Sequence, residues 1–524
     1  MSAKTPLERV PGVPGLEPTV GDGEEGSALS AGRTERQVPV AVAPGDGVGP
    51  EITDAVLRVL DAAGAPLRYD KVEMGKTAYE NGVTSGIPDA AWETIREDGV
   101  LLKGPVTTPQ GGGYKSLNVT LRKALNLYAN VRPVRTYTPF VESDHPNMDV
   151  VVVRENEEGL YAGIEHQQTR EVAQILKLIT RPGSERVIRH AFEYARTHGR
   201  NKLTCMTKDN IMKHTDGLFS QVFKEVATEY PDVDSEHLII DIGTARLATQ
   251  PEEFDVVVAP NLYGDILSDI TAELAGSVGL AGSANIGSNV SLFEAVHGSA
   301  PDIAGEGIAN PSGLLVAAKE MLVHLGFVDV AQDIENAWLR TLEDGVHTPD
   351  IYREGLSSKE VSTEGFTDAV IDRLGKAPNR LPSAQYATVS ENGHERTAGV
   401  SVEPSPTPQQ EKRLRGIDVF IDWDKKERDP DTIGNGLEGS ASKVEWYLEM
   451  ITNRGVKVYP DGLPETFWTD HWRCRFLPAD ADIIEFDRVL DLLCALHEDG
   501  WDVIKTEQLY TFDGRRAYSL GQGQ

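Results

Sequence analysis

The chain has 524 residues, 40% of them apolar, which is too long for one core and predicts about two to four domains. Its 51 Lys and Arg stand against 82 Asp and Glu, a formal net charge of −31, which disfavours nucleic-acid binding as a main function. Mean hydropathy is −0.32, no run of about 18 apolar residues exists to span a membrane, and three distant cysteines (Cys205, Cys474, Cys494) exclude a disulfide scaffold and a cysteine zinc site. Such sparse cysteine fits a reducing compartment. The acidity fits either an ordinary acidic protein or one kept soluble in high salt.

Residues 1–36 hold six glycines and four prolines and are expected to form a disordered arm. No apolar core follows the first basic residues, so a secretory signal is not expected; Glu17, Asp22, Glu24 and Glu25 speak against a mitochondrial transit peptide. The first strand is predicted at Val38–Ala43. It runs into Pro44-Gly45-Asp46-Gly47-Val48-Gly49-Pro50-Glu51, after which Ile52, Ala55, Val56, Val59 and Leu60 recur at helical spacing. Strand, glycine turn and helix open an α/β domain. The turn lacks the last glycine of G-x-G-x-x-G, which disfavours an ordinary dinucleotide fingerprint. Further strands are predicted at Val100–Lys103, Asp149–Val153, Leu203–Thr207, Leu238–Ile242 and Phe254–Ala259, with helices at 186–197, 217–229, 312–325 and 364–374. Residues 378–416 are rich in Pro, Ser, Thr and Gly and read as a mobile linker. Beyond it the predicted order is strand (417–423), helix (438–451), strand (456–460), strand (471–477), helix (482–498) and strand (503–512), a βαββαβ unit. Val444, Tyr447, Leu448 and Ile451 on one helix, and Ile484, Val489, Leu492 and Leu493 on the other, supply apolar faces for a small core. The expected divisions are an arm (1–36), an α/β body (37–377), a linker (378–416), a small α+β domain (417–513) and a tail (514–524).

Chemistry concentrates in five stretches. Lys103 ends a strand, and Gly111-Gly112-Gly113 leads to Ser116, Asn118 and Arg122, with Arg132 and Arg135 beyond. A helix starting near Ser116 would gather hydroxyl, amide and guanidinium at an anion-friendly terminus. Several arginines suit a substrate with several carboxylates, because each fork matches one bidentately; the plainer reading is a capped surface helix. Arg154 ends an apolar strand, where α/β proteins place their sites, and Tyr161 follows seven residues on. Lys208 follows another strand and is either a general base or a surface lysine. Asp241 ends a predicted strand, and Asp265 and Asp269 share one helix face, an oxygen-only set that selects hard Mg²⁺ or Mn²⁺ or is simply solvated. Glu294–Pro311, with His297 and Asp302 among glycines and prolines, has the build of a loop that wraps a ligand.

Taken in order, PGDGVGPEI, KGPVTTPQGGG…SLNVTLR, RENEEGLYAG, TKDNIMK, NLYGDILSD and HGSAPDIAG resemble the β-decarboxylating dehydrogenases that act on isocitrate, isopropylmalate, homoisocitrate and tartrate; the resemblance covers about residues 38–375. ITNRGVKVYP and DHWRCRFL resemble the C-terminal extension of Thermus-type isocitrate dehydrogenases. The resemblance implies the large and small α/β domains of that fold plus a ferredoxin-like α+β domain. It implies oxidative decarboxylation of isocitrate in the cytoplasm by a homodimer or higher oligomer with shared sites. Ser116 and Asn118, polar where isopropylmalate enzymes are apolar, would meet isocitrate's extra carboxylate, and Arg122, Arg132 and Arg154 the others. Lys208 would accept the hydroxyl proton and Tyr161 would protonate the enolate. Asp241, Asp265 and Asp269 would hold Mg²⁺ or Mn²⁺, with Lys208 and Asp241 coming from the second subunit. Lys103, Thr107, His297, Gly298, Asp302, Ile303 and Asn310 match coenzyme-side positions. The pair Asp302-Ile303, in place of Lys-Tyr, implies NAD rather than NADP, since a carboxylate repels a 2′-phosphate. The alternatives are an NADP enzyme, a homoisocitrate or isopropylmalate dehydrogenase, and, in another class, an inactive regulatory subunit.

Overall fold

The first apolar run forms a strand, and the helix after it, Gly49–Ala62, carries Pro50 in its first turn and buries Ile52, Ala55, Val56, Val59 and Leu60. The computed structural model describes residues 37–107, 116–386, 406, 409–425, 427–462, 465–479 and 484–522. The expected arm, the glycine run 111–113 and most of the expected linker lie outside the described residues. The strands of the body are β1 (Val38–Ala43), β2 (Leu67–Lys71), β3 (Val100–Lys103), β4 (Ala129–Arg135), β5 (Asp149–Glu155), β6 (Glu165–Gln167), β7 (Ala173–Ile175), β8 (Lys202–Thr207), β9 (Asp234–Ile239), β10 (Val256–Ala259), β11 (Gly282–Ile286) and β12 (Ser291–Ala295), with the short β13 (Val346–His347) and β14 (Lys359–Glu360).

Ten of them form one sheet in the order β2-β1-β3-β12-β11-β4-β5-β10-β8-β9. Each end of it is parallel, as strand–helix–strand connections require. β11 pairs antiparallel with both β12 and β4, and β4 antiparallel with β5, so the two parallel ends run in opposite senses. One face packs a single large core against helices that include Arg181–Thr197, Ser312–His324 and Val328–Glu343. The opposite face carries two separate apolar patches. One, with Leu101 and Leu292, holds the helices Asp89–Asp98 and Leu117–Ala124; the other, with Val150 and Val152, holds Ile240–Thr249 and Asn261–Leu274. The gap between the patches is where the polar residues of the sheet collect.

Two local expectations change. Asp241 does not end a strand: β9 stops at Ile239 and Asp241 lies in the first turn of the helix Ile240–Thr249, where a carboxylate favours the helix N-terminus. The helix expected over 438–451 lies instead at Pro430–Ser442, capped by Asp429, whose carboxylate accepts from the Thr432 amide at 2.9 Å. Trp446–Asn453 is a strand, and Leu448 and Ile451 sit in its core while Tyr447 is exposed. The sequence shows both signals there, but the Asp-Pro start fixes the helix about two turns earlier.

The C-terminal strands are β15 (Lys412–Asp422), β16 (Trp446–Asn453), β17 (Val456–Tyr459), β18 (His471–Pro478), β19 (Asp502–Phe512) and β20 (Arg515–Arg516). They make an antiparallel sheet, β17-β16-β18-β15-β19-β20, with the helices Pro430–Ser442 and Phe486–Glu498 packed on a core of their own. The four expected strands are β15, β17, β18 and β19, with β17 at an edge; β16 is a strand where a helix was expected, and β20 adds the other edge. This sheet rests on the β6–β7 hairpin. Thr169 donates to buried Asp470 at 2.5 Å, Arg428 pairs with Glu171 at 2.7 Å, and Arg170 pairs with Asp424. The first part of the expected linker is also held: Ala384 N donates to Asn336 at 2.9 Å, and the Tyr386 hydroxyl donates to Glu335.

Candidate active site

Residues opposite one another on neighbouring strands point to the same face. Lys103 on β3 lies opposite Glu294 on β12, and Glu294 opposite Ser283 on β11. Asn285, two residues further along β11, lies opposite Asn130 on β4, which in turn lies opposite Arg154 on β5. The register thus lays a polar stripe across five strands, through the gap between the two apolar patches. Lys103 pairs with Glu294 at 2.8 Å and Arg122 with the same carboxylate at 3.1 Å. Asn285 donates to Glu294 at 3.0 Å, Asn130 donates to Asn285 at 2.8 Å, and Arg132 Nε donates to Asn130 at 2.6 Å. All of these side chains are buried. Burial alone would raise the Glu294 pKa, but Lys103 and Arg122 outweigh it and hold the carboxyl far below the usual range.

The other end of the stripe is built by β5 and the helix Asn261–Leu274. Arg154, 1% exposed, donates twice to Asn261 Oδ1, at 3.0 and 2.8 Å, and pairs with Asp265. Arg132 donates to Ser268 at 2.5 Å and lies 3.3 Å from Asp265 and 3.7 Å from Asp269. Burial, with the charges of Arg122 and Arg132 beside it, pulls Arg154 down to about 9. Three guanidiniums gathered in a dry place are a receptor for a polyanion. Tyr161 lies under the Arg154 guanidinium, 4.9 Å from ring centroid to carbon, and its hydroxyl donates to Asp265 at 2.5 Å. Burial and that carboxylate raise its pKa, so the phenol keeps its proton.

Helix and strand meet closely here because Gly264 faces Arg154: a Cβ at Gly264 would stand 2.7 Å from Arg154 Cβ and Cγ. Gly264→Ala is expected to displace the guanidinium, lowering stability by about 1–3 kcal/mol and weakening anion binding. Denaturant midpoints and substrate titration check this; a variant unchanged in both would mean the helix can shift freely.

Lys103, Asn118, Arg122, Arg132, His297 and Gly298 line one cavity of about 70 Å³ beside the stripe. Asn118 Oδ1 and His297 Nε2 are buried there without partners, positions that a ligand donor or acceptor would complete. Ser116 stands at the N-cap of Leu117–Ala124 without capping through its side chain. Asp46, on the Pro-Gly-Asp-Gly turn, accepts from the amides of Lys76 at 2.9 Å and Thr107 at 2.8 Å, and Thr107 Oγ1 meets Ser299 Oγ at 2.9 Å. Asn310 donates to Asp350 at 3.0 Å and accepts from Ser312 N.

Lys208 and Asp241 form a separate group, paired at 3.0 Å, and Lys208 holds the exposed Asp241 carboxyl below its usual range. Among the described residues no three His, Cys, Asp or Glu side chains of one chain gather as a metal site. Asp265 and Asp269 alone share the helix face. Asp269 has its pKa raised, chiefly by the partial loss of solvent around it and also by the neighbouring Asp265 charge. That all-oxygen pair is of the kind that suits a hard divalent cation. Glu294, Asn130, Asn285, Asn261 and Ser268 were not singled out from sequence. Their only signal is polarity inside apolar strands and at a helix start.

A buried cluster of three guanidiniums beside a protonated phenol, on one face of an α/β sheet, has the chemistry of a site for a small polyanion with an acid at hand rather than of a scaffold. The chain belongs to the isocitrate/isopropylmalate dehydrogenase family, whose description matches residues 39–370, and it carries the C-terminal domain of bacterial isocitrate dehydrogenases at 412–524. It is 50% identical over 489 residues to the Rickettsia felis protein named isocitrate dehydrogenase [NADP], covering 93% of this chain and 99% of that one. It is 44% identical over 490 residues to the Thermus thermophilus protein of the same name, covering 93% and 96%. A crystal structure of a protein from Thermus thermophilus superposes with a TM-score of 0.86 at 43% identity, covering 94% of this chain and 97% of that one.

Both of these relatives are named for NADP, which does not support the NAD expectation drawn from Asp302 and Ile303. The side chains give a physical reason. Asp302 is exposed on the single turn Pro301–Ile303, where water screens its charge, and Ile303 packs on the main core. A carboxylate screened by water repels a phosphate much less than the expectation assumed.

Proposed function

We propose that the protein is an NADP-dependent isocitrate dehydrogenase, a homodimer that decarboxylates isocitrate oxidatively to 2-oxoglutarate with the help of Mg²⁺ or Mn²⁺. The observation that carries this reading is the convergence of Arg122, Arg132 and Arg154 on one buried stripe, which suits a tricarboxylate. Ser116 and Asn118 beside it are polar, which favours isocitrate over an alkyl-bearing malate. Asp265 and Asp269 would hold the cation together with Asp241 from a second copy of the chain. When bound, the cation supplies a Lewis acid for the carbonyl formed at C2. Lys208 of the second copy takes the C2 hydroxyl proton as hydride leaves for the coenzyme. Loss of CO₂ leaves an enolate, and Tyr161, held protonated, returns a proton to it. His297, Gly298, Thr107 and Asn310 would border the coenzyme, and Lys103 would lie near both coenzyme and substrate.

Initial rates with isocitrate and Mg²⁺ test the assignment. kcat/KM for NADP⁺ should exceed that for NAD⁺ by about tenfold or more, the ratio that one charge-assisted hydrogen bond to the 2′-phosphate supplies. A preference for NAD⁺ would overturn the coenzyme assignment; turnover of isopropylmalate but not isocitrate would overturn the substrate.

A further inference from the structure

Alternation divides the C-terminal sheet into two faces. Ile417, Val419, Ile421, Trp472, Cys474 and Phe476 pack in the domain core. Asp418, Phe420, Arg473, Lys505 and Glu507 face the other way and line a groove of about 610 Å³, whose far side is Val172 and Gln174 of β7 together with His214. The groove therefore lies between the C-terminal domain and the catalytic body.

Its charge runs against that of the whole chain. Arg473 and Arg475 share the single carboxylate of Asp418, at 2.6 and 2.8 Å, and Lys505 pairs with Glu507 at 2.9 Å. Arg454, at the rim, stacks on Phe467 at 3.5 Å and pairs with no carboxylate among the described residues. Cations are thus in surplus locally in a protein of net charge −31. Donors are also in surplus. His471, 9% exposed, has Nε2 without a partner; Thr452, 1% exposed, has Oγ1 without one; and behind them Arg475, 2% exposed, leaves Nη1 unpaired. Buried polar groups without partners are costly unless something completes them.

The geometry points to a binding site for a small multivalent anion, bearing phosphates or carboxylates, held by Arg454, Arg473, Lys505, His471 and Thr452. The volume is that of an ordinary small-molecule site. It adjoins the catalytic lysine. Three residues beyond Gln174, Lys177 pairs with buried Asp216, and Asp216 accepts from the Lys208 amide at 2.8 Å. An anion seated against β7 therefore alters turnover through that segment.

Titration calorimetry on the full-length protein tests this, with sodium tripolyphosphate in one arm and citrate in the other, so that the tighter arm identifies the anion's chemistry. Arg154→Gln removes anion binding at the catalytic site and should leave this binding intact. Arg454→Gln, at an exposed side chain, and its double variant with Lys505→Gln should each weaken it, the double by at least about tenfold. The anion should change kcat at saturating isocitrate in the wild type and not in the double variant, where competition at the catalytic site moves KM alone. Binding that survives when the double variant is combined with Arg154→Gln, or that vanishes with Arg154→Gln alone, would overturn the site, as would a crystal structure with a segment of a second copy filling the groove. Binding without any change in wild-type rates would overturn the link to Lys208.

Discussion

Glu294→Gln is expected to cost about 3–5 kcal/mol of stability and to remove most turnover, the effect of deleting one partner from a buried ion pair. Glutamine keeps the volume and one acceptor, so the loss isolates the charge. Lys103, 1% exposed at its side chain, and Arg122 would be left buried with no carboxylate between them. Their mutual repulsion would then spread along the stripe to Arg132. The pH dependence follows from the direction of the shift. Glu294 is held below its ordinary pKa in the folded chain, so its contribution is complete above the ordinary glutamate range. It fades as pH falls below about 4.3, where the unfolded chain takes up a proton that the folded chain refuses. Denaturant unfolding of wild type and variant should therefore differ by a constant amount from neutral pH to about pH 5 and converge in acid. A difference that stays constant to pH 3, or a variant as stable as the wild type at pH 7, would remove Glu294 from this role.

Tyr161→Phe and Lys208→Met should each lower kcat by about 10²–10⁴, as loss of a positioned acid or base does. Refolded together they should recover about a quarter of wild-type activity, because in a two-fold dimer half the molecules are hybrids and each hybrid has one site free of both lesions. The expectation rests on geometry. Tyr161 bonds Asp265, while Lys208 pairs with Asp241 in a separate group, so one chain does not bring acid and base together. Activity of the mixture no higher than that of the two variants alone would mean that each site lies within one chain.

The motifs around Arg122, Arg132, Arg154, Tyr161, Lys208 and Asp265 were legible because each combines a strand or helix end with a residue that folding alone does not call for. The amides of the stripe were not. Asn130 and Asn285 are single polar residues in short apolar strands, and their partnership exists only through the register of β4 with β11. Glu294 was visible only as the first letter of a loop, although it ends a buried strand. Five of the six strands read in the main body fall within a residue or two of those observed, because parallel strands are near-continuous apolar runs, whereas Leu238–Ile242 shares only two residues with β9, and β2, β4, β11 and β12 were not read. Trp446–Asn453 was misread because its apolar residues fall at spacings that suit both periods, and the Asp429-Pro430 helix start was overlooked. Asp302 illustrates a different failure: the residue type was right for the argument, but how far its carboxylate is exposed and screened by water is a property of the fold.

The polar stripe also bears on how the molecule comes into being. Arg122 and Glu294 are 172 residues apart, Asn130 and Asn285 155, and Arg154 and Asn261 107. None of these partners can meet until the loops between them have closed, an entropic debt that comes before any reward. A nascent or half-folded chain accordingly holds no weaker version of the receptor, only scattered arginines in water. Competence to bind the substrate therefore requires that β11 and β4 have joined the two ends of the sheet.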